Sequence, residues 1–154
     1  MICYFDTSFI LSAVLEERPQ EDHASWDQAG ERLASDLLRF ECWAGLRQAA
    51  LQEPEAGRDA WTSARGTQID RFLDKMTFKS IDDAIERIVR GESGLAGCRT
   101  LDAIHIATAL YFAPHLSEPL VICSFDRRLR TAAEGLKLQT HPRLGNDAHE
   151  ESRG

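Results

Sequence analysis

Four acidic side chains in this chain of 154 residues stand where acids are costly. Asp6 directly follows the apolar run Ile2-Cys3-Tyr4-Phe5 and directly precedes Thr7-Ser8. The arrangement recurs late in the chain, where Leu120-Val121-Ile122-Cys123 runs into Ser124-Phe125-Asp126. Two more acids, Glu41 and Asp102, lie inside otherwise apolar helical patterns. Free carboxyls titrate near about pH 4, so several in one cavity repel each other at neutral pH, and a cation resolves that repulsion. Carboxylate oxygens suit Mg2+ or Mn2+, whereas zinc and copper sites usually draw on His or Cys. One or two such ions can bind a phosphodiester, orient water and stabilise the leaving oxygen. The chemistry that follows is in-line hydrolysis with no covalent intermediate.

The elements that would position these acids can be read along the chain. Residues 2–5 are apolar without alternation and read as a fully buried strand. Thr7 or Ser8 can cap a helix that ends near Glu16-Glu17, before Pro19. Residues 18–30 suit a loop or short helix, and Leu33-Ala34 a brief strand. Ser35-Asp36 gives a second N-cap for a helix over 36–52, with Leu37, Leu38, Phe40, Trp43, Ala44 and Leu46 expected toward the core. A third helix covers 58–74, carrying Trp61, Ile69, Phe72 and Leu73 at helical spacing. Met76 to Ile81 suits a short strand, and Asp82-Asp83 starts another helix with acid at its N-terminus. Thr100 reads as the cap of a nearly all-apolar helix, Leu101 to Phe112, which predicts burial. Residues 120–123 form a buried strand, 126–134 a helix, and Leu136 and Leu138 alternate in a last strand. Strands alternating with helices imply an α/β fold, a parallel sheet with helices on both faces. One domain over 1–144 is expected, with 145–154 a polar, disordered tail. In such sheets ligands bind outside the carboxyl ends of the strands, so Asp6 and Asp126 meet at one point if their strands are neighbours.

Each acid also has a plainer explanation. Asp6 and Asp126 can each cap the helix that follows. Glu41 can sit at an edge and pair with Arg39 or Arg47. Asp102, at the second helical position, suits the helix dipole. His105 falls one turn after Asp102, and a histidine there is more often a packed or hydrogen-bonded core residue than a phosphate contact. Trp43 and Trp61 sit at core-like spacing, so packing is the better reading than base stacking. Arg127 and Arg128 either steer phosphate or cover a solvated face.

The net charge of −7, from 18 basic and 25 acidic residues, argues alone against a nucleic-acid binder. Bound metal would change the local sign, and Arg99, Arg127, Arg128 and Arg130 cluster near two of the acids. The 43% hydrophobic composition supports a substantial core. No apolar run approaches the roughly 18 residues that span a bilayer, and the N-terminus lacks a basic region and cleavage site. The reading is a soluble, cytoplasmic protein with no membrane association. Cys3, Cys42, Cys98 and Cys123 form no CxxC pair, which argues against a zinc site, and the apolar runs around Cys3 and Cys123 point to reduced, buried thiols.

The motifs Tyr4-Phe5-Asp6-Thr7-Ser8, Ser35-Asp36-Leu37-Leu38-Arg39-Phe40-Glu41, Arg99-Thr100-Leu101-Asp102-Ala103-Ile104-His105-Ile106-Ala107-Thr108-Ala109-Leu110 and Ser124-Phe125-Asp126-Arg127-Arg128-Leu129 follow one another in that order. Taken together, the chain resembles a PIN-domain ribonuclease of the VapC toxin type over residues 1 to 140. The resemblance implies a three-layer α/β/α sandwich around a central parallel sheet. It implies endonucleolytic cleavage of RNA dependent on Mg2+, with Mn2+ able to substitute. It carries the family's metal-binding and catalytic acids onto Asp6, Glu41, Asp102 and Asp126. The hydroxyl beside the last acid becomes Ser124, orienting a carboxylate or water, and Thr7 and Ser8 fill the hydroxyl positions after the first acid. It also implies a homodimer and a cognate antitoxin protein whose C-terminal segment lies across a groove near the site.

Other functions fit less well. A haloacid-dehalogenase-like phosphatase needs a second acid two residues after the first, where this chain has Ser8. A phosphorylation receiver needs a lysine after a late strand, which Ser124-Phe125-Asp126 does not offer. The non-enzyme alternative is a PIN-like module that binds RNA or protein without cutting. Retention of all four acids argues against it, and indifference of its binding to EDTA would favour it.

Overall fold

The computed structural model describes residues 1–143. The polar tail expected from Gly145 lies outside the described residues, as does the last residue of the expected domain. Five parallel strands form one sheet: β1 (Ile2–Phe5), β2 (Glu31–Ser35), β3 (Thr77–Lys79), β4 (Leu120–Cys123) and β5 (Gln139–His141). Their spatial order is β3-β2-β1-β4-β5. The chain builds outward from β1 through β2 to β3, then crosses back to lay β4 on the other side of β1. That reversal opens a crevice at the carboxyl ends of β1 and β4, the place where open α/β sheets bind ligands.

The two-residue period of the strands divides the core between two faces. Cys3, Phe5, Ala34 and Cys123 face one layer, formed by α1 (Thr7–Val14), α2 (Ala24–Gln28), α3 (Leu37–Ala50) and α4 (Arg58–Leu73). Ile2, Tyr4, Leu33, Leu120 and Ile122 face the other, formed by α5 (Asp83–Gly91), α6 (Thr100–Phe112) and α7 (Arg127–Gly135). The result is the expected α/β/α sandwich. β1 and β4 are central and buried on both faces, which is why their sequences are continuous apolar runs rather than alternating ones.

Several local expectations are corrected. On α3 the buried stripe is Leu38, Cys42, Leu46 and Ala50, at a strict four-residue spacing. Phe40 is 71% exposed and Trp43 40% exposed, and Ala44 is also exposed. Phe40 and Ala44 sit on the opposite side of the helix, while Trp43 flanks the buried stripe and lies over Gly66 of α4. Leu101 is exposed too, so α6 is not apolar-buried all round. Its cap position is Arg99, with Thr100 the first helical residue. The last strand is Gln139–His141, not the Leu136–Leu138 segment. Leu136 and Lys137 still bond back to Ala133 and Glu134, and the chain turns through Lys137 at φ 63° before it joins β4. Ile81 lies outside β3 and is exposed. All four cysteines are free thiols, but Cys98 is only half-buried. Among the described residues no helix is long and apolar enough to cross a membrane.

Candidate functional site

The register of the central strands brings the first and last acids together. Phe5 pairs with Cys123, so Asp6 and Ser124 leave the sheet side by side, and the Asp6 amide donates to the Cys123 carbonyl at 3.3 Å. Asp6 is almost fully buried and is itself the cap of α1. Its Oδ1 accepts from the Phe9 amide at 3.3 Å and the Ser8 hydroxyl at 2.8 Å. The cap role expected of Thr7 or Ser8 therefore belongs to Asp6, which frees both hydroxyls for other work.

Ser8 links the two strand ends. Its Oγ accepts from the amides of Phe125 (2.9 Å) and Asp126 (3.2 Å) while donating to Asp6. Ser124 Oγ accepts from the Asp126 amide at 3.0 Å and lies 3.3 Å from Ser8 Oγ. These two hydroxyls fix the backbone from which Asp126 projects. Asp126 caps α7, with Oδ1 accepting from the amides of Arg128 (2.8 Å) and Leu129 (3.4 Å). Ser124 thus positions the turn that carries Asp126.

Glu41 reaches the same edge from α3. Thr7 Oγ1 donates to its Oε1 at 2.8 Å, and His105 Nε2 lies 2.6 Å from the same oxygen. The edge pairing with Arg39 or Arg47 does not occur; Arg39 pairs with Asp36 at 3.4 Å. His105 is buried on α6, and its Nδ1 lies 2.8 Å from the Tyr4 hydroxyl. A carboxylate can only accept, so Nε2 carries a hydrogen toward Glu41. In the neutral ring Nδ1 then accepts from Tyr4. The order Tyr4, His105, Glu41 is a chain of hydrogen bonds running from the core to the site. Sequence reading treated His105 as a packed or hydrogen-bonded core residue and missed Tyr4. The signal was available: a tyrosine in a wholly buried strand must find a partner for its hydroxyl.

Asp102 stands in the first turn of α6, half-buried, and makes no hydrogen bond or ion pair with the described residues. Burial pushes its carboxyl above the usual carboxylate range, and the charges of Asp126 and Glu41 push the same way against Arg99 and His105. Asp6 is raised as well, mainly by burial, with His105 and the hydroxyls of Ser8 and Ser124 opposing. Burial also pushes at Glu41, but the hydrogen bond and charge of His105, with the Thr7 hydrogen bond, outweigh it and leave Glu41 lowered. The Cys42 thiol is pushed up to about 12, chiefly by burial, then by the fields of Glu41 and Asp6. Asp102 thus feels the charges of Glu41 and Asp126, and Cys42 those of Glu41 and Asp6, which places the acids in one electrostatic neighbourhood.

The acids converge without closing. Among the described residues no three His, Cys, Asp or Glu side chains are arranged to hold a metal ion directly. The donor set nevertheless fits a hard cation. Asp6, Glu41 and Asp126 each commit one oxygen to the protein and leave the other without a hydrogen-bond partner among the described residues. Asp102 leaves both. Mg2+ keeps several of its waters and is usually held by one or two carboxylates, so carboxylates that each offer a single oxygen are compatible with it.

A family model described as the PIN domain matches residues 3–135. The chain belongs to the PIN domain family. The crystal structure of PAE2754 from Pyrobaculum aerophilum shares the fold, with a TM-score of 0.58 over 91% of this chain and 89% of that one at 15% sequence identity. No curated protein matches the sequence. PIN domains are generally nucleases and typically bind divalent metals, which agrees with the oxygen-rich edge of this PIN domain.

Proposed function

We propose that this PIN domain is a metal-dependent endoribonuclease, the toxin of a toxin–antitoxin pair, working with Mg2+ or Mn2+. The observation that supports the reading is that Ser8 ties Asp6 to the Asp126 turn at the switch point between β1 and β4, with Glu41 bonded to Thr7 beside Asp6 and Asp102 within the field of Asp126 and Glu41. A bound divalent ion supplies Lewis-acid stabilisation of phosphoryl oxygens and makes water a better nucleophile at neutral pH.

The chain's own residues do the rest. The Tyr4–His105–Glu41 series and Thr7 hold Oε1 of Glu41 and present Oε2. Ser8 and Ser124 hold Asp126 in place through its amide. Asp102, lacking any such anchor and raised by burial and then by the charges of Asp126 and Glu41, gains from a nearby cation. Water is the attacking group in this scheme, so products carrying a 2′,3′-cyclic phosphate are not expected.

The partner reading has its own support. A cavity of about 700 Å3, lined in part by Leu11, Leu15, Ala49 and Phe125, adjoins Ser8 and Asp126 and suits an antitoxin segment. The exposed Phe40, Trp43, Leu51 and Leu101 suit a homodimer. Four free thiols suit the reducing cytoplasm. The open spacing of the acids favours one rival, a PIN-like module that binds RNA or protein without cutting.

The test is cleavage of a labelled RNA pool by wild type and Asp102→Asn, each with Mn2+ or EDTA. Cuts that need both the metal and Asp102 establish the nuclease. An intact pool, with RNA held equally well in EDTA, establishes the binding module instead.

A further inference from the structure

The loop before α6 and the start of α7 enclose a second cavity of about 800 Å3 that begins at Asp102. Its charged lining, apart from that acid, is Arg99, Arg127 and Arg128. Arg99 precedes α6 by one residue and the other two open α7, so side chains far apart in sequence converge on one space. All three are exposed, and their guanidinium groups make no hydrogen bond or ion pair with the described residues. Arg39, Arg65 and Arg90 are engaged with Asp36, Glu16 and Glu86, while Arg47, Arg71 and Arg87 are likewise without an ion pair among the described residues but do not line this cavity, so convergence sets Arg99, Arg127 and Arg128 apart. Gly94 and Gly97 also line the space.

Three permanent positive charges face a single carboxylate, Asp102, and none is ion-paired among the described residues, which in a chain of net charge −7 marks a place for an anion. The volume falls in the range of ligand pockets. Asp102 lines the cavity and lies within the field of Asp126 and Glu41, so an anion that also reaches those acids has to be extended. A polyanionic strand with regularly spaced phosphates meets that condition: one phosphate at the acids, the next among the arginines. The planar guanidinium fork matches phosphate oxygens.

We propose that Arg99, Arg127 and Arg128 form a phosphate subsite that holds the RNA backbone one nucleotide away from the cleaved bond. The role beside a cleaved bond rests on the nuclease reading; the phosphate binding does not. The subsite explains how an acidic protein engages RNA, because the compensating charge is local.

The test measures binding first and cutting second. A fluorescein-labelled single-stranded oligoribonucleotide is titrated in EDTA by fluorescence anisotropy over a range of salt. Three proteins are compared: wild type, Arg127→Ala/Arg128→Ala, and a charge-matched control, Arg71→Ala/Arg87→Ala, whose residues are exposed on α4 and α5. The cavity variant is expected to bind about tenfold more weakly, with its slope of log affinity against log salt reduced by about one to two, while the control follows wild type. In Mn2+ the cavity variant is expected to raise KM and leave kcat within a few-fold. Equal binding by the cavity variant and wild type, or an equal loss in the control, overturns the subsite. Wild type that binds with the expected slope but never cuts keeps the subsite and removes the nuclease.

Discussion

Replacing Tyr4 with Phe probes the link between the core and Glu41 with the smallest possible change. The ring stays in place, so no cavity opens, and only the hydroxyl is lost. That hydroxyl lies 2.8 Å from His105 Nδ1, and both residues are buried, Tyr4 completely. Without it, Nδ1 is a buried ring nitrogen with no partner, whether it accepts or donates, which costs about 1–3 kcal/mol. A loss of about 2 kcal/mol lowers Tm by roughly 4–8 °C in a domain of this size. Urea denaturation with Tyr4→Phe, Glu41→Gln and the double variant is the assay. Tyr4 and Glu41 share no contact except through the imidazole, so their effects are expected to couple by about 0.5 kcal/mol or more. A Tyr4→Phe protein destabilised by less than about 0.5 kcal/mol, or strictly additive variants, would refute the chain of hydrogen bonds.

Further outcomes follow from the same geometry. Asp102→Asn removes a carboxylate that makes no hydrogen bond with the described residues and whose charge is disfavoured by burial and by Asp126. Because the folded-state pKa is raised, the ionised group costs stability as pH rises through that value from its unfolded one. The variant is therefore expected to melt at or above wild type in EDTA at pH 7, with the difference closing toward about pH 4; a lower Tm at pH 7 would contradict this. In the same scans millimolar Mn2+ should raise Tm in wild type more than in the variant. Phe40→Ser changes a side chain that is 71% exposed, so monomer stability by chemical denaturation should stay within about 0.5 kcal/mol; a larger loss would put Phe40 in the core.

Much of this architecture is legible in the residues alone. The unbroken apolar runs at 2–5 and 120–123 read as buried parallel strands because both faces of β1 and β4 are covered. Asp6, Glu41, Asp102 and Asp126 stand out because each is an acid in apolar surroundings. The exposure of Phe40 and Trp43 was not legible, since the apolar residues of α3 spread around the helix and only its packing against α1 and α4 selects Leu38, Cys42 and Leu46. The partners of the acids were also hidden. Tyr4 and His105 are 101 positions apart, His105 and Glu41 64, and Ser8 and the Asp126 amide 118. Those pairings exist only once the sheet order places β1 beside β4 and under α6. The cap on α1 went to Asp6 because a carboxylate at the strand end can take the Phe9 amide and the Ser8 hydroxyl together, which leaves Ser8 to bridge to the β4 end.

The central claim is that these four carboxylates form a site for a divalent cation. Titration of Mn2+ into metal-free wild type and Asp102→Asn by isothermal calorimetry addresses it without any assumption about substrate. Saturable binding in wild type, weakened about tenfold or more in Asp102→Asn, is the predicted result. No saturable binding in wild type at millimolar Mn2+, or equal binding by the variant, would contradict it.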